Sequence, residues 1–326
     1  MDCRVIGLSK SLGGKPVLDN VGFSAGSGEL VSIIGPSGVG KTTLLMILAG
    51  LESADSGAIE YDPQPSKDQP AILVFQDYLL FPNLTVFENT AFGLRARKLP
   101  RKEIKDRVSH ILGYFHLQDK MRSYPNQLSA GQKQRVAIAR AMVVNPGLLL
   151  LDEPFANLDR NLKLETAEFI RATQQEFGIT TISVTHDLTE AFVMSDKIGI
   201  MLGGKLVQFG PAGEVYSEPA TFEAAKFLGP VNVITPSLCR ALNLAEAPIP
   251  DNCGTMYSRP EAVRIQADPQ GVGVISQVNF AGHYICYTVA VEQDTLLVYS
   301  LHDGYSPGDR VDIQILKYLT SQRDQS

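Results

Sequence analysis

The chain has no tryptophan, few cysteines and no long apolar run. Its 326 residues include four cysteines, at positions 3, 239, 253 and 286. None forms a C-x-x-C pair and no histidines stand at zinc spacing, so we expect free thiols and neither a disulfide nor a structural metal. Apolar runs such as 148–151 are far shorter than the roughly 18 residues that a membrane-spanning helix needs.

Positive charge is also scarce. Lysine and arginine total 29 against 35 acidic residues, which gives a formal net charge of −6. This balance gives no sign of the basic surface that nucleic-acid binding requires, and we expect no nucleic-acid partner. The first residues, from Met1 to Arg4, lack the apolar stretch of a signal peptide. We therefore expect a soluble, cytosolic chain of about two domains.

Up to about residue 230 the sequence alternates between buried strands and helices. Apolar residues recur at helical spacing between about 84 and 145. Short, mostly apolar runs, typical of strands that are buried on both faces of a sheet, occur at 30–34, 71–75 and 147–151, and ITTISV at 179–184 is expected to be a further buried strand. This alternation predicts an α/β fold in which a helical insertion interrupts the sheet.

The pattern changes beyond residue 230. Residues 231–254 carry several prolines and little periodicity, and we expect them to be a linker. From 255 to 326, β-like stretches alternate with turns that contain glycine and aspartate. That spacing predicts a small all-β barrel or sandwich.

A glycine-rich segment, GPSGVGKT at 35–42, lies between an apolar strand and a helix start. This context is typical of a P-loop, in which backbone N–H groups at a helix N-terminus surround a phosphate. Lys41 is expected to reach the β- and γ-phosphates, and the Thr42 hydroxyl to bind Mg²⁺. The predicted phosphate-binding residues are Gly35, Pro36, Ser37, Gly38, Val39, Gly40, Lys41, Thr42 and Thr43.

Two acidic residues follow the apolar run 148–151. Asp152 at the end of the strand is suited to a magnesium site, and Glu153 to a general base that polarises the attacking water. A P-loop alone leaves kinase, GTPase and ATPase open. We find no N/T-K-x-D motif of the kind that a GTPase uses to recognise its base, which favours an ATPase.

Several motifs occur together in one order. They are GPSGVGKT, Gln76 in VFQDYLLFPNLTVFENTAFGL, LSAGQKQRVAIARA at 128–141, LLLLDEP at 148–154, NLD at 157–159 and VTHD at 184–187. This order resembles the nucleotide-binding subunit of an ATP-binding cassette (ABC) transporter over about residues 4–228. The segment MYSRPEAVRI at 256–265 resembles the small OB/TOBE-like β-domain of importer ATPases. The resemblance implies a P-loop NTPase core at 1–230 and a TOBE-like domain at 255–326.

The resemblance also implies roles for further residues. Gln76 would contact Mg²⁺ or the attacking water, and His186 would contact the γ-phosphate beside Glu153. Asp159 would lie in the loop that passes between two subunits. A helix N-terminus would close over the γ-phosphate of a second copy, through Ser129, Ala130, Gly131 and Gln132. Because Ala130 replaces only a glycine of the family pattern LSGGQ, the backbone donors remain.

One position departs from the family pattern. Where the family has an aromatic residue that stacks on adenine, the segment SKSLGGKPVL has Leu12. Leu12 and Val17 can offer apolar contact to the base without stacking. We therefore expect weaker base discrimination or weaker affinity, with comparable binding of ATP and GTP.

The implied function is ATP hydrolysis that energises import through membrane permease subunits. The chain would be peripheral at the cytoplasmic face of the membrane and paired with a second nucleotide-binding subunit. We expect that subunit to be a second copy of the chain, and a paralogue stays open. The chain would act indirectly with an extracytoplasmic solute-binding protein. Apolar residues at 81–87 either belong to the core or help to bind a permease helix. Sugar, polyamine, inorganic oxyanion and ferric ion all stay open as solutes. The alternatives are a soluble ABC ATPase acting on ribosomes or repair complexes, and a β-domain that binds an oxyanion or a regulatory protein.

Overall fold

The computed structural model describes residues 1–156, 158, 160–244 and 254–322. The chain divides into two compact units, Met1–Val215 and Tyr216–Ser326. This division falls earlier in the chain than the boundary expected near residue 230. Within the expected linker, the described residues include a short strand and a helix, while 245–253 lie outside the described part.

The first unit contains the predicted strands and helices. Its strands are β1 (Asp2–Leu12), β2 (Lys15–Ala25), β3 (Leu30–Ile34), β4 (Ser56–Asp62), β5 (Ala71–Val74), β6 (Leu148–Asp152), β7 (Thr180–Thr185), β8 (Lys197–Leu202) and β9 (Lys205–Pro211). Its helices are α1 (Lys41–Leu48), α2 (Val86–Ala96), α3 (Arg101–Tyr114), α4 (Ala130–Met142), α5 (Arg160–Phe177), α6 (Leu188–Met194) and α7 (Ala212–Ser217), in which the division falls.

The main sheet has six strands in the order β5-β6-β7-β3-β8-β9. All neighbours are parallel except β8 and β9, which pair antiparallel. Every residue of β3, β6 and β7 is buried, which explains why these strands have continuous apolar or small residues instead of alternation. Because the three strands are parallel neighbours, the segments that follow them meet at one edge of the sheet.

A second, antiparallel sheet has the order β2-β1-β4. Its inward side chains, such as Val5, Leu8 and Leu18, share a core with Leu44 and Leu45 of α1. The sheet therefore helps to fix α1, the helix that follows the glycine-rich segment.

The predicted helical insertion is confirmed as α2, α3 and α4. Thr85 begins α2 with a capping box, in which its hydroxyl accepts from the Glu88 amide and the Glu88 carboxylate accepts from the Thr85 amide. The apolar face of α3, which includes Val108 and Leu112, is buried in a core shared with α2 and α4.

The second unit is largely β, as expected. It contains α8 (Phe222–Leu228), α9 (Pro236–Ala241), β10 (Asn232–Val233), β11 (Gly254–Ser258), β12 (Val263–Ala267), β13 (Gly273–Phe280), β14 (Ile285–Val291), β15 (Asp294–Ser300), β16 (Arg310–Ile315) and β17 (Leu319–Gln322). One sheet has the order β12-β16-β13-β14-β15 and another the order β10-β11-β17. β14 alternates strictly between buried and half-buried residues, as a strand with one face on a core should.

Arg259, in the motif that resembles the TOBE-like domain, lies inside this unit. Its side chain is 5% exposed. One guanidinium nitrogen, Nη1, donates to the carbonyl oxygens of Ala225 at 2.9 Å and Gly229 at 3.1 Å. The guanidinium also stacks over the Tyr216 ring at 4.8 Å. Arg259 therefore binds the carboxyl end of α8, where backbone carbonyls lack helical partners.

Three of the cysteines, at positions 3, 239 and 286, are free thiols as expected, and Cys253 lies outside the described residues. Among the residues that the structure describes, no helix is both long enough and apolar enough to cross a membrane.

Candidate nucleotide-binding site

The glycine-rich segment joins β3 directly to α1. Gly40 precedes the helix with a φ of 105°, a left-handed conformation that favours glycine. A Cβ atom there would lie 2.6 Å from the Val17 carbonyl oxygen, and one on Gly35 would overlap the Met201 carbonyl oxygen. Glycine at these two positions lets the loop lie close to neighbouring backbone, which shapes a concave phosphate site.

Lys41 is held inside this loop. Its ammonium donates to the carbonyl oxygens of Gly35 at 2.7 Å and Pro36 at 3.0 Å, and the residue is 5% exposed. Burial lowers the pKa of Lys41, while the nearby carboxylates of Glu153 and Asp152 oppose that shift. The ammonium is thus positioned by the loop that is predicted to surround the phosphates.

Thr42 and Asp152 meet at the carboxyl end of β6. The Thr42 hydroxyl donates to Oδ1 of Asp152 at 3.1 Å. Asp152 is buried, and this burial raises the pKa of its carboxyl against the effect of the Thr42 hydrogen bond. The pair supplies two hard oxygen donors, which fit Mg²⁺ because this ion takes few protein ligands and completes its shell with phosphate and water oxygens. In the described part of the chain, no group of three or more acidic, histidine or cysteine side chains forms a separate metal site.

Glu153 and His186 also come together. Oε2 of Glu153 lies 3.1 Å from Nδ1 of His186, and Oε1 lies 3.9 Å from the Lys41 ammonium. Glu153 has a φ of 43°, and its amide donates to the Val184 carbonyl oxygen at 2.9 Å. A non-glycine residue in this left-handed region is uncommon and is found disproportionately at functional sites.

Residues that were not predicted from the sequence hold the His186 segment. Buried Glu190 accepts from the Thr185 hydroxyl at 2.8 Å and forms an ion pair with Lys163 at 3.0 Å. Asp187 caps α6 by accepting from two backbone amides. Burial raises the pKa of Glu190 against the effect of Lys163. The sequence offered one local signal for Glu190, which lies four residues after His186, but none for Lys163, which is on α5.

The remaining predicted residues lie at several places. Gln76 follows β5 by two residues and is exposed, at the same edge of the sheet as Asp152. Val17 contacts the loop, since a Cβ on Gly40 would be 3.0 Å from its Cγ1. Leu12 ends β1 and is 45% exposed. Asp159 lies outside the described residues.

Ser129, Ala130, Gly131 and Gln132 lie at a helix start, as predicted. Ser129 caps α4 by accepting from the Gln132 amide at 3.3 Å, and the Gln132 side chain accepts from the Ser129 amide at 3.0 Å. Ala130 is half-buried and Gly131 is buried beside Leu162. Within the described ranges, no hydrogen bond or ion pair joins these four residues to the glycine-rich loop of the same chain.

The fold and the site define an α/β P-loop nucleotide-binding protein. The family model described as ABC transporter matches residues 18–156, and the model described as TOBE domain matches 259–317. The chain belongs to the ABC transporter family of ATP-binding proteins and carries a TOBE domain.

Relatives and a solved structure agree with this assignment. The spermidine/putrescine import ATP-binding protein PotA of Mannheimia succiniciproducens is 37% identical over 318 residues, which cover 89% of this chain and 85% of the relative. PotA of Vibrio cholerae is 45% identical over 235 residues, or 71% of this chain, and the match spans 62% of that relative's length. A bacterial ABC transporter cassette, MJ0796, solved as a dimer, is 30% identical over 64% of this chain and 98% of its own, with a TM-score of 0.57.

Proposed function

We propose that this chain is the ATP-hydrolysing subunit of an ABC importer for polyamines of the spermidine and putrescine type. The arrangement of Glu153 between His186 and Lys41 is the observation that best supports hydrolysis. The PotA relatives are spermidine/putrescine import ATP-binding proteins, which supports import and the polyamine class. The comparisons give no support to a soluble ABC ATPase that acts on ribosomes or repair complexes.

At the proposed site each residue has a distinct task. The loop amides and Lys41 bind the triphosphate, because oriented N–H groups and a helix N-terminus favour anions. Glu153 accepts the proton of the attacking water, and His186 orients the carboxylate and the γ-phosphate. Thr42, Asp152 and Gln76 would hold Mg²⁺, which would neutralise charge on the phosphate oxygens.

A second copy of the chain completes this site in our proposal. Among the described residues, Ser129, Ala130, Gly131 and Gln132 form a capped helix start without hydrogen bonds or ion pairs to their own loop. They would bind the γ-phosphate in the partner. Asp159 would lie between the two copies. ATP would favour the closed dimer, and loss of the γ-phosphate would let it open. The solved dimer of MJ0796 supports this arrangement.

Exposed apolar residues near α2 support a permease partner. Val86 is fully buried and belongs to the core, whereas Phe81 and Phe92 are exposed and their rings lie 4.5 Å apart. Leu79 is also exposed. We propose that these residues bind a permease helix by its apolar face, which would place the chain at the cytoplasmic face of the membrane. A solute-binding protein outside the membrane would deliver the polyamine to that permease.

Affinity capture tests the function. The tagged Glu153→Gln chain, loaded with ATP, would be captured from detergent-solubilised membranes of its source, with Lys41→Ala as the matched control. We expect a multi-spanning permease to be recovered with the first variant and much less with the second. Proteoliposomes of the recovered complex should then take up labelled spermidine or putrescine. Recovery of ribosomal or repair proteins instead would contradict the importer function.

Base discrimination gives a prediction at Leu12. Because Leu12 lacks a ring, we expect ATP and GTP to bind with comparable affinity. Leu12→Tyr should tighten ATP binding by about two- to tenfold, since stacking adds roughly 0.5–1.5 kcal/mol beyond area burial. Competition with a fluorescent nucleotide measures both affinities, and Leu51→Tyr is a control at another exposed leucine. A strong ATP preference in the parent chain would count against this prediction.

A further inference from the structure

A groove beside the edge strand of the main sheet is separate from the nucleotide site. Its volume is about 690 Å³, within the range of small-molecule sites. One wall comes from the segment that leads into β5, with Lys67 and Asp68, and the other from the end of α2 and from α3, with Arg97, Lys98 and Arg107. The groove therefore lies between the sheet and the helical insertion.

The charges that line this groove are mostly positive. The lining includes four cationic residues and one acid, Asp68, in a chain with a net charge of −6. Arg107 forms an ion pair with Glu103 at 2.6 Å. Lys67, Arg97 and Lys98 have no hydrogen-bond or ion-pair partner for their side chains in the part of the chain that the structure describes. Three cationic residues that lack an anionic partner in the described ranges thus line one groove.

Arg97 gives the strongest indication of an anion. It is half-buried, yet its guanidinium has no partner among the described residues. Partial burial removes water from a charged group, and the cost is compensated when an anion accepts its hydrogen bonds. The planar guanidinium matches phosphate or carboxylate in a bidentate geometry.

Lys98 is a second, independent feature. Its φ is 58°, and the Leu99 amide donates to the Leu94 carbonyl oxygen at 3.3 Å, as in a Schellman motif at the end of a helix. Glycine is the residue that this position favours. Lysine is strained in this left-handed conformation, which glycine adopts more easily.

The floor of the groove is apolar. Ile72 and Leu99 are half-buried against the helical core, and Val144 is 6% exposed. A ligand that fits both the rim and the floor has an anionic head and an apolar body. We propose that this groove binds a small organic phosphate whose phosphate meets Arg97, Lys98 and Lys67 and whose apolar part lies on Ile72, Leu99 and Val144.

Titration calorimetry of the full chain with octyl phosphate below its micelle concentration tests this site. Arg97→Gln/Lys98→Gln should weaken binding at least about tenfold, because two charge-assisted hydrogen-bonding groups are lost. Lys102→Gln/Lys105→Gln, which changes two exposed lysines of α3 outside the groove, should leave binding within about twofold. Octyl glucoside and inorganic phosphate, which supply only the apolar body or only the head, should each bind at least about tenfold more weakly.

Two further measurements test whether octyl phosphate binds at this groove and not at the nucleotide site, and whether a lipid head group could bind there instead. Octyl phosphate should still bind to Lys41→Ala, which keeps the result independent of the nucleotide site. Vesicles of phosphatidylcholine and phosphatidylglycerol should not compete, because the proposed ligand is free in solution and not a lipid head group. Equal binding by the parent chain and Arg97→Gln/Lys98→Gln, absence of saturable binding, or binding to vesicles alone would each overturn the proposal.

Discussion

Replacing Glu153 by glutamine is expected to preserve ATP binding and nearly abolish turnover. Glutamine keeps the size of the side chain and an oxygen near Nδ1 of His186, which lies 3.1 Å from the carboxylate, but it cannot take a proton from water. Removing a general base typically costs about 10²- to 10⁴-fold in rate. Steady-state phosphate release and equilibrium binding of ATP, measured on the same preparation, give the two quantities.

The same variant should accumulate as an ATP-bound dimer, because without hydrolysis the γ-phosphate stays and the closed dimer does not open. Size-exclusion chromatography with and without ATP measures this shift. Glu168→Gln is the matched control, since Glu168 is exposed on α5, and it should hydrolyse ATP at the parent rate and show no trapped dimer. Hydrolysis by Glu153→Gln at the parent rate would mean that Glu153 is not the base.

Much of the fold was predictable because its signals are local. The runs 30–34 and 148–151 are continuous and apolar, and both correspond to strands that are buried on two faces. The glycine pattern at 35–42 needs only its own backbone and its flanking strand and helix to be recognised. The amphipathic spacing in α3 likewise depends on neighbours three and four residues away.

Other elements depend on contacts that local patterns do not contain. β2 carries Asn20 and Gly22, which favour turns, and it becomes a strand through pairing along β1. Residues 236–241 have little periodicity, yet α9 forms there. Its only local signals are the Thr235 cap and Pro236 in its first turn. Tertiary packing and strand pairing determine the secondary structure of such segments. Composition therefore predicted a linker where part of the segment is a strand and a helix.

The site shows the same distinction. Each motif was visible alone, but the contact between Glu153 and His186 joins residues 33 positions apart and was expected only from the resemblance to the family. The order of β6 and β7 as parallel neighbours brings the two side chains together. Lys163 on α5 and buried Glu190 on α6 form an ion pair between two helices. Neither residue type is distinctive in the sequence.

Replacing Lys41 by alanine is expected to weaken ATP binding itself. Its ammonium is already held by two loop carbonyls, at 2.7 and 3.0 Å, so little side-chain freedom remains to be lost when phosphate binds. Loss of a charge-assisted hydrogen bond costs about 1.5–3 kcal/mol, or about ten- to a hundredfold in affinity. Equilibrium titration with a fluorescent ATP analogue measures this change.

Two further variants define the cause of the Lys41 effect. Lys41→Arg keeps the charge but replaces the compact ammonium by a larger planar group, and it should also bind ATP poorly because the Gly35 and Pro36 carbonyls enclose the ammonium closely. Lys105→Ala, at an exposed position of α3, should retain the parent affinity. If Lys41→Ala bound ATP as tightly as the parent chain, the phosphates would not bind at Lys41. The expected pair of results, with binding lost at Lys41 and turnover lost at Glu153, separates the residue that holds the triphosphate from the one that activates water, even though their side chains lie only 3.9 Å apart.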